Sequence, residues 1–301
     1  MSSFQPGDQL DHYRIESLAA QSGMASIYRA TDLHNGKVVA VKVPHLEVES
    51  DPLFYDRFKR EEEIGKKLDH HGVMRVFDDD DRSRVYMVME WVEGRPLRHV
   101  LTEQKKLPAE RAVRIAIEIC AALDHVHSQG IVHRDLKPEN MRRLTFAKFT
   151  RAMGTPDYVS PEQVKSKRGD ARCDLYALGV MLYEMLTGEV PFHGPNSLAV
   201  LNDRLLNNPV PPRELDPEIS PQLQEIIYRA LERNPAHRYA SAREFANDLS
   251  NPDSVGVAER SELRDWKLRR SLRPKTILMY VMFAMIPIII FILLLVTARR
   301  N

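Results

Sequence analysis

The chain has 301 residues, enough for one large domain or two ordinary ones and too many for a disulfide-stapled miniprotein. Hydrophobic residues make up 43% and charged residues 28%, a globular balance that excludes general disorder. The formal net charge is +1, so the chain as a whole lacks the basic field of a nucleic-acid binder. Two cysteines, Cys120 and Cys173, form neither a metal-ligand spacing nor a disulfide framework, in keeping with a reducing compartment.

In chain order, Tyr13 to about Val92 reads as β-rich with one helix. Short apolar or alternating runs at Arg14–Ser17, Ser26–Ala30, Lys37–Val43, Met74–Phe77 and Val85–Trp91 are separated by turn signals such as His34-Asn35-Gly36. The acidic run Asp78 to Asp81 reads as a solvated hairpin turn. From Leu97 the pattern becomes helical. Ala112, Ile115, Ala116, Ile119, Leu123 and Val126 fall on one helical stripe that stops at Gly130. Further helices are expected over Asp174–Leu186, Ser197–Leu206, Pro221–Leu231 and Ser241–Leu249. Pro209 to Pro212 reads as a rigid connector, and Asn251 to about Val257 as a polar linker. A small β-rich lobe followed by a larger helical lobe leaves a cleft between them, a common ligand site.

The C-terminal end is of another kind. Thr276 to Ala298 holds no charged residue in 23 positions, long enough as a helix to cross the roughly 30 Å hydrocarbon core. Between Arg264 and Lys275 six basic residues stand against one acid, Asp265. The positive-inside rule therefore places Met1 to Lys275 in the cytoplasm, with residues 276–298 as a single-pass span of the cell (inner) membrane and 251–275 as a basic juxtamembrane linker. The first ten residues carry no signal-peptide pattern.

The densest chemistry is His133-Arg134-Asp135-Leu136-Lys137-Pro138-Glu139-Asn140, just beyond the striped helix. A carboxylate, an ammonium two residues on and an amide five residues on can converge on one phosphoryl group. Asp135 would accept a hydroxyl proton, Lys137 would neutralise the γ-phosphate and Asn140 would supply a metal ligand.

With these residues the sequence resembles the eukaryotic-type serine/threonine protein kinases of bacteria, from about His12 to Leu249. The resemblance implies an α+β, two-lobed fold over residues 12–250: a β-rich upper lobe at 12–92 and a helical lower lobe at 93–250. Val39-Ala40-Val41-Lys42 is similar to the family's strand whose Lys holds the α- and β-phosphates. Arg57 to Glu61 resembles the start of the helix whose Glu pairs with that Lys. Glu61 is the best match, and a shift of one residue onto neighbouring Glu62 stays open. Met87 to Val92 resembles the segment joining the lobes, with Met89 as gatekeeper and the Glu90 and Val92 backbones meeting adenine. Ile27 and Ala40 would cover the ring, and plain core packing explains these apolar residues equally well. Gly154 to Glu162 resembles the end of the activation segment, in which Glu162 would pair with Arg238, and Thr150 and Thr155 fall in the same segment. Asp174 resembles the buried Asp that braces the catalytic loop. The implied cofactors are ATP and Mg²⁺, and the implied partners are protein substrates, with no nucleic acid. Lys137-Pro138-Glu139 disfavours a small-molecule kinase.

Two departures stand out. In the phosphate loop, Ala20, Ser22 and Ala25 replace the three motif glycines and only Gly23 remains, which predicts weaker nucleotide binding. The D-F-G metal motif is missing. No acidic residue lies between Asn140 and Asp157, so the metal site is incomplete. Loss of that charge stabilisation predicts a cost on the order of 10³-fold or more in rate. The departure is read either as a natural pseudokinase, acting as a membrane-tethered scaffold, or as a segment lost from the written sequence.

Overall fold

The computed structural model describes residues 4–49, 51–79, 82–141, 156–165 and 169–258. The segment 276–298 expected to span the membrane, the basic linker beyond residue 258, and Thr150 and Thr155 all lie outside the described residues. Among the described residues no helix is long and apolar enough to cross a membrane.

The upper part is a six-stranded sheet. Its strands are β1 (Gln9–Leu10), β2 (Tyr13–Gln21), β3 (Ala25–Asp32), β4 (Val38–Pro44), β5 (Val76–Phe77) and β6 (Met87–Glu90), in the order β1-β2-β3-β4-β6-β5 with every pair antiparallel. Strand side chains alternate between faces, and here both faces are covered. Val39, Val41 and Val43 join Tyr13, Ile15, Tyr28, Tyr86 and Val88 in one apolar cluster. Ala40 joins Met87, Met89 and Phe58 in another, with Ile27 and Val76 packed against it. Phe58 comes from a helix laid across this second face.

That helix is α2 (Pro52–Lys67), which follows the single turn α1 (Leu46–Glu49). The Asp51 side chain accepts the Leu53 N–H, and Pro52 occupies the first turn, where no N–H partner is needed. Helix α2 begins earlier than the Arg57 expected from sequence. It lies close to the sheet because residue 65 is glycine: a Cβ there would stand 2.2 Å from a Val76 methyl.

The lower part is helical: α3 (Leu97–Gln104), α4 (Ala109–Ser128), α5 (Pro161–Val164), α6 (Arg172–Thr187), α7 (Ser197–Leu206), α8 (Pro212–Leu215), α9 (Pro221–Ala230) and α10 (Ala242–Ser250). Helix α6 is the axis of this core. Every residue from Cys173 to Leu186 is buried, so α6 reads as apolar on all sides rather than as a stripe. It stops at Gly188, whose φ of 78° suits glycine and whose N–H returns to the Glu184 carbonyl. Helix α4 buries its predicted stripe except for Ile115, which is half-buried against the same core, and ends before Gly130, at φ 71°. The connector expected at Pro209 to Pro212 gives way at Pro212 to the short helix α8.

Candidate active site

Strand β4 presents Lys42 on the same face as Ala40, two residues earlier. The register sets Ile27 opposite Lys42 and Met89 opposite Ala40. Ile27 and Ala40, expected to cover an adenine ring, and Met89, expected as gatekeeper, therefore share the face that carries the lysine. Lys42 is 1% exposed and its Nζ lies 2.5 Å from Glu61 Oε1. The Phe58 ring centroid is 5.4 Å from the ammonium. Burial penalises the charge and holds the Lys42 pKa below its ordinary value, with Glu61 opposing the shift. The one-residue ambiguity resolves in favour of Glu61. Glu62 is buried on a different side of α2, bonded to Arg82 at 2.6 Å with Lys59 and Lys66 each at 3.3 Å.

The segment joining the two parts follows β6. The Glu90 N–H donates to the Arg75 carbonyl at 2.9 Å, which ties the end of β6 to the chain before β5. Trp91 donates to Glu93 at 2.8 Å, and Val92 is half-buried. At the other end of the sheet the β2–β3 turn holds Ala20, Ser22 and Gly23. The Ser22 hydroxyl donates to the Ala25 carbonyl at 3.0 Å and accepts the Ala25 N–H at 3.2 Å. A serine thus closes this turn through its own side chain. Gly23 has open space where a Cβ would stand and a φ outside the left-handed region, so its backbone does not demand glycine.

The lower loop is held by one buried carboxylate. Asp174, in the first turn of α6, accepts the backbone N–H of His133 at 2.8 Å and of Arg134 at 2.7 Å, and contacts His127 Nε2 at 2.9 Å. Arg134 sits at φ 65°, a conformation that costs an L-residue about 1 kcal/mol or more. The two bonds to Asp174 offset that cost and turn the following residues outward. Asp135 is half-exposed. Its carboxylate lies 3.3 Å from Lys137 Nζ, and its carbonyl accepts the Asn140 Nδ2 proton at 3.0 Å. Asp135, Lys137 and Asn140 are thus brought together, as their spacing predicts.

The Mg²⁺ expected with ATP takes oxygen ligands, usually one or two carboxylates with phosphates and water. Among the described residues the loop offers the neutral amide of Asn140 and two carboxylates already beside cations, Asp135 at Lys137 and Glu139 at Arg98. Residues 141–156 supply no acid. This donor set does not fit a complete Mg²⁺ site.

The segment 156–165 is anchored twice. Gln163 Nε2 donates to the Arg134 carbonyl at 3.0 Å. Glu162 forms a two-pronged pair with Arg238 at 2.8 Å for each contact, and Arg238 is 3% exposed. Burial pushes the Glu162 carboxyl up, but Arg238 outweighs it and the pKa lies below the ordinary 4.5. A further network is not visible in the sequence. Arg98 on α3 bonds Glu139 at 2.8 Å and Glu184 at 2.6 Å and also reaches Tyr158, whose hydroxyl donates to Glu184 at 2.5 Å. It joins the reactive loop to α3, α6 and the segment before α5. Arg98 stands 41 residues from Glu139 and 86 from Glu184, and no local pattern signals such a contact.

A sheet that carries a paired lysine, joined to a helical body that carries a braced Asp-Lys-Asn loop, is the arrangement of a two-lobed kinase-like fold. The chain belongs to the protein kinase family: the family's model, described as protein kinase domain, matches residues 20–143 and 142–249. The two matched stretches meet where the sequence lacks the metal motif. The chain is 36% identical over 267 residues to the serine/threonine-protein kinase PksC of Streptomyces coelicolor, covering 78% of this chain and 48% of that protein. It is 34% identical over 265 residues to the serine/threonine-protein kinase PknB of Mycolicibacterium smegmatis, covering 79% and 42%. The chain spans half or less of the length of the curated relatives it matches. Among solved structures, the PknI kinase domain of Mycobacterium tuberculosis superposes with a TM-score of 0.67 at 25% identity, over 83% of this chain and 99% of that one. A structure of Rad53 1–466 in complex with AMP-PNP gives a TM-score of 0.66 at 26% identity, over 78% and 64%.

Proposed function

We propose that the chain is a membrane-anchored serine/threonine protein kinase that transfers the γ-phosphate of ATP to protein hydroxyl groups. The observation that carries this reading is the pairing of Lys42 with Glu61 on the sheet, together with a lower loop on which Asp174 holds Asp135, Lys137 and Asn140 as one group. Lys42, kept in place by Glu61, grips the α- and β-phosphates. Ile27, Ala40 and Met89 supply the apolar surface for adenine, with the Glu90 and Val92 backbones at its edge. Asp135 takes the proton of the attacking hydroxyl, and Lys137 offsets the charge that builds on the transferred group. Asn140 fixes the loop through the Asp135 carbonyl. AMP-PNP in the Rad53 structure and the serine/threonine-kinase names of the relatives support the choice of nucleotide and acceptor.

The test is incorporation of radiolabelled phosphate by the full 301-residue chain in detergent, with Asp135→Asn as control. Loss of the base is expected to lower transfer by about 10² to 10⁴-fold while leaving ATP affinity within a few-fold. Equal incorporation by parent and variant would refute the role of Asp135. The membrane anchor rests on the uncharged run Thr276–Ala298 and its basic flank. The chain is expected to stay in the membrane pellet after alkaline carbonate extraction, and release into the supernatant would overturn the anchor.

A second reading, a pseudokinase scaffold held at the membrane, is favoured by the absence of any acid between Asn140 and Asp157. It predicts nucleotide binding that is insensitive to Mg²⁺ and phosphate incorporation that Asp135→Asn leaves unchanged.

A further inference from the structure

Two turns at the end of the sheet bring a pair of imidazoles and a carboxylate together. His12 lies between β1 and β2, Asp32 closes β3, and His34 lies on the turn leading to β4. The turns are tied by the backbone: the Leu33 N–H donates to the His12 carbonyl at 2.9 Å, and Tyr13 stands opposite Asp32 in register. The His12 and His34 rings stack with centroids 4.1 Å apart and planes within 7°. His12 Nε2 is 4.0 Å from Asp32 Oδ1. One ligand atom from each of the three residues lies within 4.8 Å of the other two.

We propose that His12, Asp32 and His34 bind a divalent transition-metal ion of the zinc class, which pins the two turns together. Two imidazoles with one carboxylate suit Zn²⁺, Cu²⁺ or Ni²⁺, whereas Mg²⁺ and Ca²⁺ prefer all-oxygen sets. The carboxylate is oriented in advance. Asp32 is buried, its Oδ1 accepts the His34 N–H at 2.9 Å and its Oδ2 accepts from Asn35 Nδ2 at 2.6 Å. Hydrogen bonds of this kind are what hold metal-ligating carboxylates in place. The His12 ring is also flanked by Tyr13, at 4.1 Å between centroids. The ligand atoms of a tetrahedral zinc site stand about 3.4 Å apart, so the three groups must close by up to about an ångström and a half. His34 is exposed on its turn and supplies that movement by swinging out of the stack. Water takes the fourth position. The cluster lies five residues along β3 from Ile27, about 17 Å of strand away from the Lys42 face, so the site stands apart from the reaction in the cleft.

The test uses the full chain without a polyhistidine tag, stripped with EDTA and titrated with Zn²⁺ against a chromophoric chelator. The parent is expected to take one Zn²⁺ tightly and to melt at a higher temperature with Zn²⁺ present. His34→Ala, an exposed position whose loss leaves the fold intact, is expected to weaken that binding by about 100-fold or more and to abolish the melting shift. Asn35→Ala, which removes the support of Asp32 together with the turn bond that Asn35 Oδ1 accepts from the Lys37 N–H at 2.9 Å, is expected to weaken it by about 10 to 100-fold. A His70→Ala control removes a histidine from a different cluster, with His71 and His125, and should change nothing. Equal Zn²⁺ affinity in the parent and His34→Ala, no stoichiometric binding by the parent, or loss of binding in His70→Ala instead would each overturn the proposal.

Discussion

Asp174→Asn is expected to destabilise the chain by about 3 to 5 kcal/mol, and to lower phosphate transfer far more than it lowers nucleotide affinity. The carboxylate is buried and accepts from two consecutive backbone N–H groups and from the His127 side chain. An asparagine of the same shape keeps one acceptor and turns an NH₂ group toward a donor. One buried N–H is left unsatisfied, and Arg134 loses the bond that holds it at φ 65°. The loop carrying Asp135, Lys137 and Asn140 then has no reason to keep its outward turn. The pH dependence has a definite sign. Burial pushes the Asp174 carboxyl up, but hydrogen bonds from His127 and the Arg134 backbone, with the His133 charge nearby, pull it below the ordinary 3.8. A carboxylate depressed in the folded state contributes stability above its ordinary pKa and loses it as pH falls through the lower folded value. The gap between parent and variant should therefore be full at neutral pH and shrink as pH drops below 3.8. Chemical denaturation at neutral and acid pH measures it, and a gap that widened toward acid would contradict the role given to Asp174.

The Lys42–Glu61 pair should separate stability from function. Lys42→Met removes the ammonium from beside the Glu61 carboxylate next to an apolar cluster, and a stability loss of about 3 kcal/mol is expected. The double variant Lys42→Met, Glu61→Leu removes both desolvated charges in favour of apolar volume beside Phe58, Ala40, Met87 and Met89. It is expected to recover the parent's stability or exceed it, since buried ion pairs are often replaced by apolar residues at no cost. Nucleotide affinity should stay low in both variants, because neither has an ammonium to meet the phosphates. Denaturation midpoints and equilibrium binding of a fluorescent nucleotide read the two effects separately. If the double variant bound nucleotide as the parent does, Lys42 would not be the phosphate grip.

Much of this architecture is legible in local pattern, and what is not has identifiable causes. The stripe from Ala112 to Val126 marks α4 because one face of that helix is buried and the other is wet. Strand β3 alternates between buried and half-buried positions, whereas β4 reads as a continuous apolar run because both of its faces are covered. Strand β1 is two residues long and exists only through its pairing with β2, so no periodicity announces it. Helix α3 starts after Pro96 with no side-chain cap, and its eight residues bury only Leu97 and Leu101. The start of α2 is readable from Asp51 and Pro52, a cap and a first-turn proline. At the site, the residue types of Lys42, Glu61, Asp135, Lys137 and Asn140 carry strong local signals. The choice of Glu61 over Glu62 depends on the rotational setting of α2, which the close contact of Gly65 with Val76 helps to fix. The Arg98 network depends on tertiary contacts between distant segments, and only the fold brings them together.

The central claim is that a nucleotide lies with its phosphates between Lys42 and the loop bearing Lys137. An ATP analogue carrying an acyl group on its terminal phosphate acylates lysine amines that reach the phosphates, and burial makes the Lys42 amine more readily neutral and nucleophilic. With the full chain in detergent and peptide mass spectrometry as the readout, acylation is predicted at Lys42 and Lys137, suppressed by excess ATP, while the more exposed Lys59 stays unlabelled. Labelling that spares both Lys42 and Lys137, or that excess ATP fails to compete away, would contradict it.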